Sequence, residues 1–389
     1  MNALRNKWVW IGSIFNTVVM LILTMYFWSL PWLAGDEKFL IWSSSLIKKH
    51  FTERPPAEEV ALINVSYDLA LIDKLDEFGF PVGQSVITDR NKLALFYRIM
   101  NEGNHPYKLM LTDIFFSDPS EDDTSLQNEI SNLKKALFSG HLDGHDSVMA
   151  SVFNATYGIS DYLIANIFEG VYKGQLLFND TLLHTSLKAI DENAAGFGPF
   201  VKVNQQYVPN HFIINYSLLQ NEMLNPEYNY NPVNLGELLL LSDEDIRDFV
   251  KEKLVILGDF RENDMHETVF EITSGPLILL NVYYQLSRGN TTVGFFFMLI
   301  LVLSYFLLSL LVILPEDPVR KFLVNRFGES RVVSKLLSGI TFYSVSLSVL
   351  SFCLFFLFNI HINAFFIGLY CYGVDWLVYR IDQKRKPSV

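Results

Sequence analysis

Apolar residues in the middle of the chain occur in short runs, and segments with helical spacing separate these runs. Residues 60–65, 108–116 and 254–258 are each apolar enough and long enough for one buried strand. Alternation of buried strands with amphipathic helices is typical of a parallel sheet covered by helices. We therefore expect an α/β domain with a mainly parallel sheet and flanking helices.

Four segments around these strands carry helical spacing, and they begin at Asp89, at Thr124, at Asp243 after the cap residue Ser242, and at Ile278. The second has a capping-box pattern, Thr124 with Gln127, and its apolar face continues to Leu137. We expect the fourth helix to continue directly into a membrane span. Residues 141–236 give no clear pattern, apart from an extended piece at 207–216.

Long uncharged stretches at both ends of the chain predict membrane spans, since a helix that crosses about 30 Å of hydrocarbon needs about 20 mostly apolar residues. Residues 8–35 carry no charge, and this stretch is longer than the apolar core of a signal peptide. The length indicates a retained anchor. Residues 295–314 predict a second span. The last uncharged stretch is broken near His361, so it predicts a third span at 339–358 and a fourth at 362–379.

Lysine and arginine mark the flanks that stay in the cytoplasm. They precede the first span, fill a loop at 315–337 and follow the fourth span. The predicted organisation is a cytoplasmic N-terminus and first helix at 1–33, an outer domain at 34–291, three helices at 292–380 and a basic tail at 381–389. In a bacterial inner membrane, both termini would be cytoplasmic and residues 34–291 periplasmic.

Charge and composition narrow the choice of function. Only 19% of residues are charged, against about 25% in soluble proteins. Residues 34–291 carry 37 acidic and 19 basic residues, which argues against nucleic-acid binding because that task needs a basic face. Such a surface could attract cations, although a solvated acidic surface is the favoured interpretation. The two cysteines exclude a disulfide scaffold and a cysteine-rich zinc site.

Polar side chains follow the three predicted strands, where ligands collect in open α/β sheets. They are Asp68 after the first strand, Asp113 and Asp118 around the second, and Asp259, Asp264, His266 and Thr268 after the third. One interpretation is a pocket for a small ligand or a divalent cation, with carboxylates and one imidazole as ligands. The favoured interpretation is that these residues cap helices and fix turns, and whether they bind metal stays open.

One acidic residue, Asp375, lies within a predicted span. It could make a polar contact with a partner helix or act as a proton-sensitive switch, since an ionisable group at this depth usually faces protein. We favour a carboxylate near the cytoplasmic end that snorkels or pairs with Arg380. The chain has no phosphate-binding loop, metalloprotease helix or hydrolase elbow, so we do not expect an enzyme.

Four blocks, residues 60–72, 107–126, 196–216 and 253–283, resemble the second type of the extracellular sensory domain associated with cyclases and histidine kinases (CHASE type 2). The family's strand ending in Asp-x-x-Phe and its Asp-x-His-x-Thr motif with a following glycine have counterparts in Asp113 and Phe116, and in Asp264, His266, Thr268 and Gly275. This sequence departs from the family's first motif, which usually reads Asp-x-Asp-x-x-Ser. It has Asn64, Ser66 and Asp68 in that block. The family also has one anchor before the domain and three helices after it.

The resemblance implies a sensor-like outer domain. Family members commonly continue into a cytoplasmic kinase, cyclase or phosphatase, whereas a basic tail ends this sequence at Val389, so we expect the signal to leave through a separate protein partner. The alternative is a structural or assembly subunit of an envelope complex. A sensor should have a concave pocket, and a scaffold should expose an apolar or strand-edge patch.

Overall fold

The computed structural model describes residues 7–31, 37–75, 78, 80–165, 168–314 and 339–385. The helices are α1 Lys7–Ser29, α2 Glu37–Lys49, α3 Arg90–Glu102, α4 Asp123–Asn132, α5 Thr185–Lys188, α6 Gln220–Met223, α7 Leu235–Leu238, α8 Asp243–Val250, α9 Gly275–Ser287, α10 Phe295–Ile313, α11 Gly339–Phe358 and α12 Ala364–Arg385. The first strands are β1 Val60–Asn64, β2 Leu69–Leu75, β3 Pro81–Thr88, β4 Leu109–Asp113, β5 Ala136–Gly140, β6 Tyr157–Ile159, β7 Tyr162–Ala165 and β8 Phe168–Gln175. The later strands are β9 Leu177–Phe178, β10 Leu182–Leu183, β11 Ala195–Phe197, β12 Phe200–Val203, β13 Gln206–Pro209, β14 His211–Ile213, β15 Val233–Asn234, β16 Leu254–Gly258, β17 Met265–Glu267 and β18 Ile272–Ser274.

The chain divides into two compact units. The helical unit comprises residues 1–48, 196–213 and 290–389, and the α/β unit comprises residues 49–195 and 214–289. The α/β unit lies within the segment 34–291 that the sequence predicts as one outer domain. The hairpin of β12 and β13 belongs to the helical unit instead.

The α/β unit is built on a six-stranded sheet in the order β15-β1-β16-β4-β5-β6. Every neighbouring pair in it is parallel, which confirms the predicted sheet type. Strand β16 runs in register with both neighbours, so Gly258 pairs with Asn64 on β1 and with Asp113 on β4. The carboxyl ends of the three central strands therefore lie in one row.

Helices cover both faces of this sheet. Alternate residues of β1 point to opposite sides: Ala61 and Ile63 belong to the core cluster with α3, α4 and α8, while Leu62 belongs to the cluster with α9. This alternation is the period of a strand, and both faces are apolar because both are buried. The unit is therefore a three-layer α/β/α arrangement.

Several predicted elements are confirmed. Helix α3 is capped by Asp89, whose carboxylate accepts from the backbone N–H groups of Asn91 and Lys92, and it stops at Gly103. Helix α8 is capped by Ser242, which accepts from the N–H of Asp245. Strand β16 has the predicted bounds. The extended piece predicted at 207–216 is present in part, as β13 and β14.

The capping box predicted at Thr124 is wrong. Helix α4 begins at Asp123, and Gln127 bonds instead to the backbone N–H and carbonyl of Asn154. The helix ends at Asn132 because the next residue, Leu133, is extended with a ψ of 138°. The chain then turns at Lys135, which has a positive φ of 51°, and Leu137 lies in β5.

The strand predicted at 108–116 is shorter, since β4 ends at Asp113. The predicted direct continuation of α9 into a span is also wrong, because residues 288–294 between α9 and α10 are not helical. Gly289, with a φ of +66°, terminates α9 in the left-handed conformation that glycine tolerates.

In the helical unit, three of the described helices are long and apolar enough to cross a membrane. They span Lys7–Ser29, Phe295–Ile313 and Thr341–Phe358. Helix α12 lies where the fourth span is predicted, but it is less apolar than these three helices. The basic loop at 315–337 and residues 386–389 of the tail lie outside the described residues.

Helix α1 turns its polar side chains inward. Asn16 donates to Ser309 Oγ on α10 at 2.8 Å and accepts from the Tyr370 hydroxyl on α12 at 2.8 Å. Thr24 Oγ1 lies 2.7 Å from the Tyr305 hydroxyl on α10. The opposite face is apolar and exposed, as at Phe15, which is 70% exposed. A helix that is polar inside and apolar outside is suited to lipid rather than water.

Small residues bring α11 and α12 together. A Cβ at Gly368 would lie 2.7 Å from Ser344 Oγ and 3.2 Å from the Ser344 backbone, so the two helices approach closely there. Further along α12, Arg380 packs its guanidinium 4.4 Å from the centre of the Trp376 ring. The pairing of Asp375 with Arg380 stays a prediction.

We expect Asn16→Ala to weaken the packing of α1 by about 1 kcal/mol, the scale of a hydrogen bond between membrane helices. The measurement is the unfolding midpoint of the full-length protein in mixed micelles of mild detergent and dodecyl sulfate. Phe15→Ala is the control, since this side chain faces outward. An equal loss in both variants would show that the buried amide adds nothing to the packing.

Candidate functional site

A cavity of about 830 Å³ opens at the carboxyl edge of the six-stranded sheet. Asp113 is the last residue of β4, His141 follows β5, Asp161 lies two residues after β6, and Asp259 follows β16. All four line the cavity. Because these strands are parallel, their ends meet at one edge, where ligands bind in open α/β sheets.

Five of the seven predicted strand-end residues line this cavity: Asp113, Asp118, Asp259, Asp264 and His266. Asp68 instead accepts from Lys92 Nζ at 2.6 Å and from the Gly236 N–H at 3.0 Å, so it ties α3 to α7. Thr268 donates from Oγ1 to the carbonyl of Glu271 at 2.6 Å in a turn. These two residues have structural roles outside the cavity.

Asp259 organises the loop after β16. Its carboxylate accepts from the Ser66 hydroxyl and from the backbone N–H groups of Arg261, Glu262 and Asn263. Burial acts to raise the pKa of Asp259, but these hydrogen bonds outweigh burial and lower the pKa below its ordinary value. Its oxygens are already engaged, which makes it a loop residue that borders the cavity.

Arg90 and Asp118 form part of the wall. Arg90 Nη2 donates to the backbone carbonyl of Asp118 at 2.9 Å, and its guanidinium lies 4.7 Å and 5.0 Å from the rings of Phe116 and Phe153. The Asp118 carboxylate accepts from Ser85 Oγ at 3.1 Å. Burial lowers the pKa of Arg90, and its stacked position fixes the guanidinium within the wall.

Asp113 is the carboxylate with the most perturbed environment. Burial raises the pKa of Asp113 to about 7, and the charge of Asp264 adds to this rise. A hydrogen bond from Ser139 and the charges of His141 and His266 act in the opposite direction. Among the described residues, no basic side chain forms an ion pair with it. It therefore faces the cavity without a fixed counter-ion.

Two histidine–aspartate pairs flank Asp113. His141 Nδ1 lies 2.8 Å from Asp161 Oδ1, and the Leu142 N–H donates to Asp161 Oδ2 at 2.7 Å. His266 Nε2 lies 2.8 Å from Asp264 Oδ1. The hydrogen bond in each pair raises the pKa of the imidazole, and burial acts against it. Each ring uses one nitrogen for its aspartate, and no hydrogen bond from the described residues occupies the other nitrogen, which can meet a ligand.

Sequence reasoning missed His141 and Asp161. The signal that could have found them is their position directly after two strands, β5 and β6, which the sequence did not predict. Aromatic rings complete this side of the cavity: Phe115 packs edge-on against His141 at 5.2 Å, and Tyr162 against His266 at 6.2 Å.

A chain of hydroxyl groups leads from the interior to Asp113. Ser139 Oγ lies 2.7 Å from Ser160 Oγ, which lies 2.8 Å from Thr185 Oγ1. Ser139 acts to lower the pKa of Asp113, which is the effect of a hydroxyl group that donates to the ionised carboxylate. Ser139 then accepts from Ser160, and Ser160 accepts from Thr185, so all three hydroxyl groups point the same way.

Gly275 allows Asp264 to sit at the start of α9. The Gly275 N–H donates to the Asp264 carbonyl at 2.8 Å, and a Cβ at Gly275 would collide with the Asp264 carboxylate. A carboxylate is favoured at a helix N-terminus, where backbone N–H groups concentrate positive charge. The small residue therefore fixes the position of the His266 partner.

The side chains do not cluster as metal ligands. Within the described residues, no group of three or more His, Cys, Asp or Glu side chains could hold a metal ion. The carboxylates are engaged by histidines, serines and backbone N–H groups. The candidate divalent cation site at the strand ends thus gains no support from the geometry.

Comparison of the chain with protein-family models, with curated proteins and with solved structures finds no match. The resemblance to the CHASE type 2 family therefore stays a prediction. The fold defines a protein that contains an α/β unit and is compatible with a membrane.

We expect Asp113→Asn to raise the thermal stability of the protein more at pH 8 than at pH 5. Between the ordinary value of 3.8 and the folded pKa of about 7, the folded state holds a proton that the unfolded state lacks, so stability falls as the pH rises through this window. Asparagine removes the ionisation and keeps the shape. The gain at pH 8 should exceed the gain at pH 5 by about 1–3 kcal/mol.

Asp68→Asn is the control for this prediction, since Asp68 is also buried but has the ion pair with Lys92. Loss of this pair should lower stability at pH 8 by up to about 1 kcal/mol. The measurement is the thermal unfolding midpoint at both pH values. A destabilising effect of Asp113→Asn at pH 8 would show that the carboxylate stabilises the fold.

Proposed function

We propose that this protein is a membrane-anchored, sensor-like protein whose α/β unit binds a small organic cation in the cavity at the sheet edge, and which passes its state through the helical unit to a separate protein partner. The single observation that carries the proposal is Asp113, a carboxylate that forms no ion pair among the described residues and lies in the wall of a cavity of about 830 Å³. Buried charges in proteins are normally paired. The ammonium group of a ligand would supply the missing positive charge.

The charge of the wall supports a cation. The acidic lining residues are Asp113, Asp118, Asp161, Asp259, Glu262 and Asp264, whereas the basic ones are Arg90, His141 and His266. Arg90 is held in the wall by its aromatic neighbours and by the carbonyl of Asp118. The field inside the cavity is therefore negative and would concentrate cations there.

The cavity walls also suit the body of an organic ligand. Phe115 and Tyr162 present aromatic surface next to the two histidines, and aromatic faces attract ammonium groups. The volume lies within the range of small-molecule sites, about 300–1,000 Å³. A bare metal ion would use little of this space, and the proposal assigns no catalytic step to the cavity.

The wider setting of the proposal comes from the sequence. Basic flanks support a bacterial inner-membrane protein with both termini in the cytoplasm and the α/β unit in the periplasm. The resemblance of four sequence blocks to a sensory domain supports signalling rather than metabolism. In this setting the fourth span, α12, would return the chain to the cytoplasm.

We expect 1,4-diaminobutane or benzylamine to raise the thermal unfolding midpoint of the full-length protein in mild detergent at pH 8. A ligand at 100 times its Kd stabilises the folded state by about 2.7 kcal/mol. The stabilisation should weaken as the pH falls from 8 to 6. The two histidines then become positively charged and repel the amine, and Asp113 becomes neutral and no longer pairs with it. Asp113→Asn should weaken binding at least about tenfold, or about 1.4 kcal/mol.

Succinate and Asp68→Asn are the matched controls. Succinate has a similar length and the opposite charge, and Asp68 does not line the cavity. If succinate stabilises the protein and its effect increases toward pH 6, the ligand is an anion bound by the histidines and not a cation. Failure of both amines to stabilise the protein, or binding that survives Asp113→Asn, would remove the proposed ligand class.

A second candidate function, a subunit of an envelope complex, is favoured by a different observation. The antiparallel hairpin of β2 and β3 exposes apolar side chains on the α/β unit. Leu71 is 60% exposed and Val86, its cross-strand partner, 61% exposed, while Val82 and Phe80 are also exposed. An exposed apolar ribbon is typical of a docking surface for another protein.

The variant Leu71→Thr with Val82→Thr tests this candidate, because threonine keeps the strand propensity and removes apolar surface. If the hairpin docks a partner, a protein that copurifies from the native membrane in stoichiometric amount should be lost from the variant, as measured by mass spectrometry. Amine binding should persist, since neither residue lines the cavity. Retention of every copurifying protein would argue against the hairpin as the docking surface.

A further inference from the structure

Helix α2, in the helical unit, has two faces of opposite character. The side chains that point inward are Ile41, Ser44, Ser45 and Lys48, and those that point outward are Phe39, Trp42, Leu46 and Ile47. Spacings of three, four and seven residues place each set on one side of the helix. The outward face is more apolar than the inward face.

The exposure of the outward face is large. Phe39 is 73% exposed, Trp42 45% and Leu46 43%. In water, an amphipathic helix turns its serines and lysines outward and buries such residues. Helix α1 shows the same inverted arrangement, with Asn16 inside and Phe15 outside. The outward face of α2 is therefore suited to apolar surroundings, as the outward face of α1 is.

Polar contacts fix α2 at the end of a candidate membrane span. Lys48 Nζ donates to the carbonyls of Phe355 and Phe356 at 2.9 Å each, in the last turn of α11. Ser44 Oγ lies 3.1 Å from His361 Nε2, directly after that helix. A lysine is favoured at the carboxyl end of a helix, where the free carbonyls lie.

The end of α1 lies at the same level. Trp28 Nε1 donates to the His361 carbonyl at 2.8 Å, and Trp28 is one residue from the end of α1. Ser351 of α11 lies 2.9 Å from His361 Nδ1. His361 thus joins α1, α2 and α11 where two candidate spans end. Tryptophan is enriched in membrane proteins at the interface between lipid and water.

We propose that α2 lies in the interface of the lipid bilayer, with Phe39, Trp42 and Leu46 inserted at the boundary between headgroups and acyl chains. The occupant of this face is lipid rather than protein, because α2 is bonded to the end of a candidate span and exposes apolar side chains as the spans do. This inference does not depend on the proposed ligand. It assigns to α2 the role of setting the depth of the spans.

The test measures the surroundings of single side chains in the full-length protein. With Cys353→Ser and Cys371→Ala as background, nitroxide labels are placed at Trp42→Cys and Leu46→Cys, and the protein is reconstituted in bilayers of phosphatidylcholine and phosphatidylglycerol. Accessibility of each label to oxygen, which enters lipid, is compared with accessibility to a water-soluble nickel chelate. Labels at Phe15→Cys and Leu240→Cys are the lipid and water references, since both side chains are well exposed on their own units.

We expect the labels at positions 42 and 46 to prefer oxygen over the nickel chelate, at a depth between the two references. Accessibility to the nickel chelate equal to that at position 240 would place α2 in water and overturn the proposal. Protection from both reagents would show that protein covers the face, such as a second copy of this chain, and would also overturn it. Each variant is used only if it elutes as the parent does in size-exclusion chromatography.

Discussion

The in-register parallel pairing of β1, β16 and β4 is the constraint on which the α/β unit depends. It places Asn64, Gly258 and Asp113 in one row at the carboxyl edge. Asn64 then secures the loops that leave this edge, because its Oδ1 accepts from the Ser66 hydroxyl and from the Phe260 N–H. A slip of one residue in β4 would turn Asp113 to the opposite face of the sheet and remove it from the cavity. Sheet register and cavity chemistry are therefore one requirement.

Several carboxylates that line the cavity have fixed partners among the described residues. Asp161 and Asp264 are each matched by a histidine, and Asp259 by backbone N–H groups. Among the described residues Asp113 forms no ion pair, and because burial raises its pKa, its ionisation lowers the stability of the fold as the pH rises. Groups that lower stability in this way are typical of binding and catalytic sites, where the fold tolerates strain for the sake of function.

The sequence predicted the parts of this structure that depend on local periodicity. Strand β16, helix α8 and the apolar spans follow from runs that no tertiary contact overrides. The strand-end rule also selected five of the cavity residues. His141 and Asp161 escaped because Leu133 and Leu137 continue the helical spacing of α4 by coincidence, while the chain turns at Lys135 and enters β5. Gln127 was misread because its partner, Asn154, lies 27 residues away. Such contacts depend on the completed sheet.

The hydroxyl chain from Thr185 to Asp113 gives the cavity a property that its heavy atoms do not reveal. When Ser139 donates to an ionised Asp113, the hydroxyl groups of Thr185, Ser160 and Ser139 all align toward the carboxylate. A protonated Asp113 can donate to Ser139 instead, and the chain can then run in the reverse direction. A single proton, or a cation that substitutes for it, therefore sets the dipole direction of a row of groups that reaches α5, without any displacement of the backbone.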